Sequence, residues 1–259
     1  MLGAIAGDMI GSPYEYEAFK GIDFPLFSDR SRFTDDTVLT VATGFALMTD
    51  REYGEAYRIF GRLYPLAGYG ETFLDWLHTD EPRPYGSWGN GAAMRVSPVG
   101  WACESVEEVL AEAARSAACT HDHPEGIKGA QATALGVFLA RRGRPRALIM
   151  TEIEERFGYD LGRTPDEIRP GYEYDISCQG TVPPALSCFL HGKDFEETVR
   201  LAVSLGGDAD TLAAIAGSFA HAAEGKLPPA IRREIRRRLE LAPDLLQIVD
   251  DFCERYGVA

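Results

Sequence analysis

FTDDTVLTVATGFALM spans residues 33–48, and its two ends ask for different things. From Val38 onward the apolar residues recur at helical spacing. Val38, Val41, Ala42, Phe45 and Ala46 share one face, and Leu39 and Met48 widen it. At the front stand Thr34, Asp35 and Asp36, polar and charged, where a segment suited to burial begins. Helix chemistry accounts for part of this: Thr34 suits an N-cap, and first-turn carboxylates face the positive end of the helix. Capping needs only one or two such groups, however, and adjacent carboxylates repel each other. The pair therefore also fits a grip on a cation.

The rest of the chain repeats the helical theme. SVEEVLAEAARSA (105–117) is amphipathic, with Ser105 as cap and Glu108 completing a capping box. GIKGAQATALGVFLARRG (126–143) carries a small-residue face and arginines at its C-terminal end. Helical patterns continue in DFEETVRLAVSLG, ADTLAAIAGSFAHAAEG, PPAIRREIRRRLE and PDLLQIVDDFCERY. PPALSCFLHG (183–192) opens another buried segment, with proline suited to a first helical turn. Residues 14–32 lack a period and read as a long loop; 143–180 read as a short helix near Ala147–Arg156 and a lengthy connection. No valine-rich alternation suggests strands, so the expected class is all-α. Neither a repeat nor a linker divides the chain, so residues 1–259 are read as a single domain.

Bulk composition narrows the function. Twenty-six basic against 40 acidic residues give a formal charge of -14, which argues against wrapping nucleic acid or lying on an anionic membrane. The five cysteines form no CxxC pair and read as reduced thiols of a cytoplasmic protein. MLGAIAGDMIGS has no basic start and meets Asp8 early, unlike a signal peptide. No run is long enough to span a bilayer. RREIRRR (232–238) alternates with Ile231, Ile235 and Leu239 and reads as a solvated face. With no oligomerisation stripe, a monomer is the expectation.

A second acidic cluster lies in SLGGDADTLAAIAG (204–217). Asp208, Asp210 and Thr211 precede another small-residue helix, and Gly206 and Gly207 allow a close approach before it. Four carboxylates brought together would repel strongly unless a hard cation such as magnesium, manganese or calcium neutralised them. Two ions sharing a ligand, or one ion with a surrounding network, both suit this donor set. Zinc is disfavoured, since neither cluster holds histidine or cysteine. Tertiary structure decides whether residues 35 and 208 meet.

AGDMIGSPYE (6–15), TDDT (34–37), GNGAAMR (89–95), TH (120–121) and GGDADT (206–211) follow one another in an order that resembles the ADP-ribosylglycohydrolase family. That family contains the dinitrogenase-reductase-activating glycohydrolase and the ADP-ribosyl-acceptor hydrolases. The resemblance runs from the first residues to about position 223. It implies a compact orthogonal multi-helix fold and two divalent cations, Mg2+ or Mn2+, held by Thr34, Asp35, Asp36, Asp208, Asp210 and Thr211. Glu15 matches a glutamate assigned to acid–base chemistry or gating, with Glu17 a rival, and Asp35 and Asp36 stand beside it as catalytic carboxylates. Asp8 is expected to brace a glycine-containing turn.

GSWGNGAAMR (86–95) resembles the loop that cradles diphosphate and ribose, implicating Ser87, Gly89, Asn90 and Gly91 in substrate binding. His121 matches a histidine near the substrate, while His123 reads as a solvent or helix-start residue. Trp88 or Tyr85 is a candidate to stack on adenine, and Cys178 reads as structural. The implied reaction is hydrolysis of the glycosidic bond at C1 of ADP-ribose, freeing a side chain such as arginine or serine. The partner is then an ADP-ribosylated protein or a small ADP-ribose conjugate. Hydrolysis of another ADP-ribose derivative or a phosphoester, and a non-catalytic binding role, are the alternatives.

Overall fold

In the computed structural model, which describes residues 1–259, helices account for all regular structure, and one isolated β-bridge joins Gly89 to Ser177. The first four helices are α1 (Leu2–Gly11), α2 (Asp35–Met48), α3 (Tyr53–Leu63) and α4 (Glu71–His78). Two short helices, α5 (Gly91–Met94) and α6 (Ser97–Ala102), lead into α7 (Val106–Ala118), α8 (Pro124–Arg141) and α9 (Arg146–Phe157). One turn, α10 (Pro165–Ile168), precedes α11 (Cys178–His191), α12 (Phe195–Ser204), α13 (Ala209–Glu224), α14 (Pro229–Leu239) and α15 (Pro243–Tyr256). A contiguous apolar core runs from Met1 to Val258. No helix is long and apolar enough to cross a membrane.

The centre of the molecule is α13, buried from Ala209 to Ala222, with α1, α8, α11 and α12 packed around it. Its alanines and Gly217 leave little side chain to hold neighbours away. On α1, Gly3, Gly7 and Gly11 face it at four-residue spacing, one side of a helix. A Cβ at Gly7 would fall inside the Ala213 backbone, and one at Gly11 would lie 2.5 Å from the Ala209 carbonyl oxygen. The two backbones therefore touch directly, which fixes the start of α13 beside the end of α1.

The structure corrects several local readings. Residues 2–11 form a helix, so Asp8 sits inside α1, and the turn that it braces is not a glycine-containing one of its own segment but the start of α2. The α2 helix is buried all round from Asp36 to Gly44, not along one stripe, because it is itself central. At α7 the Ser105 side chain accepts from the Glu108 amide, but the Glu108 carboxylate reaches back to the Glu104 amide, one residue beyond the cap. A complete capping box forms instead at Thr164 and Glu167, in the stretch read as irregular. Pro183 and Pro184 lie within α11, not at its start. The Gly180 carbonyl, which Pro184 cannot serve, accepts from the Tyr172 hydroxyl at 3.0 Å. Arginines 232–238 are more than a solvated face, since Arg238 donates to the Ser28 and Ser31 carbonyls.

The α1–α13 contact predicts an asymmetry among glycines. Gly7→Ala should lower the unfolding free energy by about 1–3 kcal/mol through overpacking. Gly171→Ala, with open space around it, should change it by no more than about 0.5 kcal/mol. Urea denaturation of both variants measures the difference.

Candidate active site and metal centre

Both acidic clusters sit at helix starts, and the fold aims those starts at one place. Thr34 is the N-cap of α2, its hydroxyl accepting from the Asp36 amide at 3.2 Å. The capping role read from the sequence is therefore real for Thr34. The turn is clamped from below by Asp8, whose carboxylate accepts from the Thr34 amide (2.9 Å), the Thr34 hydroxyl (2.8 Å), the Thr37 amide (3.1 Å) and the Thr37 hydroxyl. Burial pushes the Asp8 carboxyl up to about 6, against the pull of these donors. Sequence reasoning missed this clamp; an acid one turn from a glycine face was the only signal.

At the other cluster, Gly206 and Gly207 adopt φ of +73° and +72°, a left-handed pair that turns the chain sharply into α13. A side chain on Gly207 would also meet the Glu173 carbonyl oxygen at 2.8 Å. Asp208 is the N-cap residue of α13, and Asp210 and Thr211 lie in its first turn. The Thr211 hydroxyl donates to Asp36 Oδ2 at 3.2 Å, so residues 36 and 211 meet across the α2–α13 gap. One carboxylate oxygen from each of Glu15, Asp208 and Asp210 lies within 4.8 Å of the others. Asp36 Oδ1 is buried and has no hydrogen-bond partner.

Such an arrangement fits a divalent cation. The donors are all oxygen, and the orphaned Asp36 oxygen costs free energy unless something positive meets it. Without a cation, burial and then neighbouring carboxylates raise Asp36 and Asp210 well above the usual range. Burial, Asp8 and the other nearby acids push Asp35 up to about 8. Asp35 is partly exposed beside Gly68, its amide donating to the Ala67 carbonyl at 2.9 Å. Both helix N-termini contribute positive potential, which offsets only part of this charge.

Glu15 comes from the irregular segment between α1 and α2. Its carboxyl is raised, chiefly by burial, with Asp208 adding repulsion and Tyr16 and Asp210 hydrogen bonds opposing. Tyr16 stacks on Tyr174 with centroids 5.9 Å apart, and both lie near enough to Asp208 and Asp210 to feel the charge of those carboxylates. Four cations pin the Glu15 segment through its carbonyls and neighbours. Lys20 donates to the Tyr172 and Leu205 carbonyls, Arg30 to Pro13, Arg200 to Ile22 and Phe24, and Arg238 to Ser28 and Ser31. Glu17, the rival to Glu15, is instead paired with Arg30 at 2.7 Å.

The 86–91 loop lies alongside. Asn90 Nδ2 donates to Asp208 Oδ2 at 2.6 Å and to the Thr181 hydroxyl at 3.1 Å, tying this loop to the acidic cluster and to α11. Three of the loop amides serve the protein itself: Gly86 donates to Asp122, Gly89 to the Ser87 hydroxyl and Asn90 to the Ile176 carbonyl. His121 is buried behind the loop, and a Cβ at Gly91 would lie 3.1 Å from its Nε2. Tyr85 packs against His121, whereas Trp88 is about half exposed. His123 caps α8, accepting from the Glu125 amide. Cys178 is buried with its thiol donating to the Gly89 carbonyl at 3.1 Å.

Comparison with known proteins identifies the family. The family described as ADP-ribosylglycohydrolase matches residues 1–258. The chain belongs to the ADP-ribosylglycohydrolase family. Among curated relatives, ADP-ribosylhydrolase ARH3 of Homo sapiens is 27% identical over 308 aligned positions, covering 87% of this chain and 84% of that protein. ADP-ribosylarginine hydrolase Tri1 of Pseudomonas putida is 24% identical over 278 positions, covering 88% of this chain and 71% of the relative. A solved structure titled "ADP-ribosylglycohydrolase-related protein complex" superposes with a TM-score of 0.67 at 27% identity, covering 95% of this chain and 96% of its own.

The raised carboxyls set a pH dependence for the cation-free protein. A folded carboxyl whose pKa exceeds its unfolded value binds protons more tightly when folded, so it stabilises at low pH and loses that contribution as pH rises. For Asp35 the window runs from 3.8 to about 8. Chelator-treated protein should therefore lose melting temperature between these limits, and added Mg2+ or Mn2+ should restore most at the upper end. Thermal unfolding across pH, with and without metal, measures both.

Proposed function

We propose that residues 1–259 form a single, monomeric, cytoplasmic catalytic domain that hydrolyses the glycosidic bond between ADP-ribose and a modified acceptor, releasing ADP-ribose. The acceptor is a protein side chain such as arginine or serine, or a small conjugate. Family membership supports the reaction class. The observation that carries the chemistry is the pair of helix starts whose carboxylates converge with Glu15.

A divalent pair, Mg2+ or Mn2+, held by Thr34, Asp35, Asp36, Asp208, Asp210 and Thr211, would supply Lewis-acid polarisation and a template for the ribose. The remaining work belongs to the protein's own groups. Cleavage of the C1–acceptor bond leaves oxocarbenium-like charge on the ribose, and a pocket of carboxylates favours that charge. Water adds to C1 as the acceptor departs. One proton leaves the water and one is gained by the acceptor nitrogen or oxygen, so a single water is consumed. Glu15, half-buried and with its carboxyl raised, suits the transfer.

Asn90 holds Asp208 in place, and the loop around it, with Ser87, Gly89 and Gly91, is the surface assigned to diphosphate and ribose. Trp88, about half exposed on that loop, offers a flat face to an adenine. His121 stands beneath, kept neutral because burial and then Arg95 lower its pKa well below the usual value.

The test uses metal-stripped protein with arginine- and serine-ADP-ribosylated peptides, measuring released ADP-ribose by chromatography. Activity should return with Mg2+ or Mn2+ and identify the acceptor. Asp36→Asn and Asp210→Asn should each lower kcat/KM by about 100-fold or more, given the loss of an aimed charge. Unchanged turnover in both variants would reject the assignment of these acids.

A further inference from the structure

Arg95 is the largest wholly buried side chain in the protein, and the proposed reaction gives it no task. We propose that Arg95 is a positioning residue which, through Thr120, holds His121 as the tautomer carrying its hydrogen on Nε2, directed at the Gly89–Gly91 loop. The geometry that points to this is a chain of short hydrogen bonds whose polarity is set at one end by the Arg95 donor.

The Arg95 guanidinium lies over the Tyr57 ring, 4.1 Å from its centroid. Its Nη2 donates to the Ser116 carbonyl at 3.2 Å and to the Thr120 hydroxyl oxygen at 2.8 Å. A guanidinium has donors only, so the Thr120 oxygen must accept from it. The Thr120 hydroxyl then has one hydrogen to place, and His121 Nδ1 lies 2.7 Å away. Were Nδ1 protonated instead, Thr120 would accept twice, and its own hydrogen would have to turn to the Tyr85 hydroxyl or the Cys119 thiol beside it, both poorer acceptors than an imidazole nitrogen at 2.7 Å. Nδ1 is therefore the acceptor, and in the uncharged ring the hydrogen sits on Nε2.

That edge of the ring faces the glycines. A Cβ added to Gly91 would lie 3.1 Å from Nε2, and one added to Gly89 would lie 3.5 Å away. The donor thus lies directly under the loop whose Asn90 reaches Asp208. Its use toward a substrate oxygen rests on the reading of this loop as the substrate cradle; its direction does not.

The full chain, labelled with nitrogen-15 at histidine, tests the proposal by two-dimensional NMR. Five histidines contribute, and loss of one signal set in His121→Gln assigns the residue. His121 should show a protonated Nε2 and an unprotonated Nδ1 at neutral pH. Thr120→Val, which keeps the shape and removes the hydroxyl, should abolish the single tautomer. In hydrolysis assays it should raise KM about tenfold, the worth of one buried hydrogen bond, with kcat within about twofold. Thr120→Ser should restore both the tautomer and KM. A protonated Nδ1 in the wild type, or an unchanged tautomer in Thr120→Val, would overturn the positioning role. Absence of hydrolysis by the wild type would count against the proposed function alone, because the tautomer is read without substrate.

Discussion

Helices α1 and α13 touch backbone to backbone, and the distance between the two acidic helix starts follows from that contact. Glycines spaced by four residues on α1 meet Ala209, Ala213 and Gly217 on α13 with no side chain between them. Close-packed interiors transmit small displacements, so widening this seam would move Asp8 away from the axis that carries Asp210. Asp8 in turn holds the first turn of α2 with four hydrogen bonds. The α1 helix thus contributes no candidate ligand and still sets the distance between the two helix starts that do.

Electrostatics then makes the assembly costly by itself. After burial, other acids of the cluster raise the carboxyls of Asp35, Asp36 and Asp210, and Asp36 keeps one oxygen with no partner. Two helix dipoles offset part of that cost, but their effect falls off within a turn. An apolar core of the same volume is often at least as stable, so the cluster is no aid to stability by itself. Its cation-binding reading and its instability without a cation are two sides of the same energy.

The segment bearing Glu15 is a different sort of construction. It contributes no regular structure beyond the turn at Ser12–Tyr14, yet cationic side chains from α12 and α14 reach its carbonyls. Arg200 also lies over Phe24 and Arg238 over Phe27. Bonds from charged donors are stronger than neutral ones and can replace a helical ladder over a short span. Loop residues held this way remain easier to release than a helix.

Much was legible before any coordinates. Helical periodicity, absence of alternation and the caps at Thr34 and Ser105 are local properties, set by backbone geometry within a turn or two, and they carried the all-α class. The acidic motifs were legible too, because two carboxylates exceed what capping needs and the motifs follow one another in an order that resembles a known family. Pairings across the chain were not. Nothing in the residues alone states that Thr211 reaches Asp36, that Asn90 reaches Asp208, or that Arg95 sets Thr120 against His121. Each depends on helices meeting at a distance decided by packing, and packing is a property of pairs that periodicity cannot express. For the same reason the helical nature of residues 2–11, with their low contrast between faces, emerged only when α13 was seen to cover them. The sequence by itself determined which groups were present and which local structures carried them; the tertiary structure decided which groups met, because burial between close-packed helices sets the distances on which their charges act.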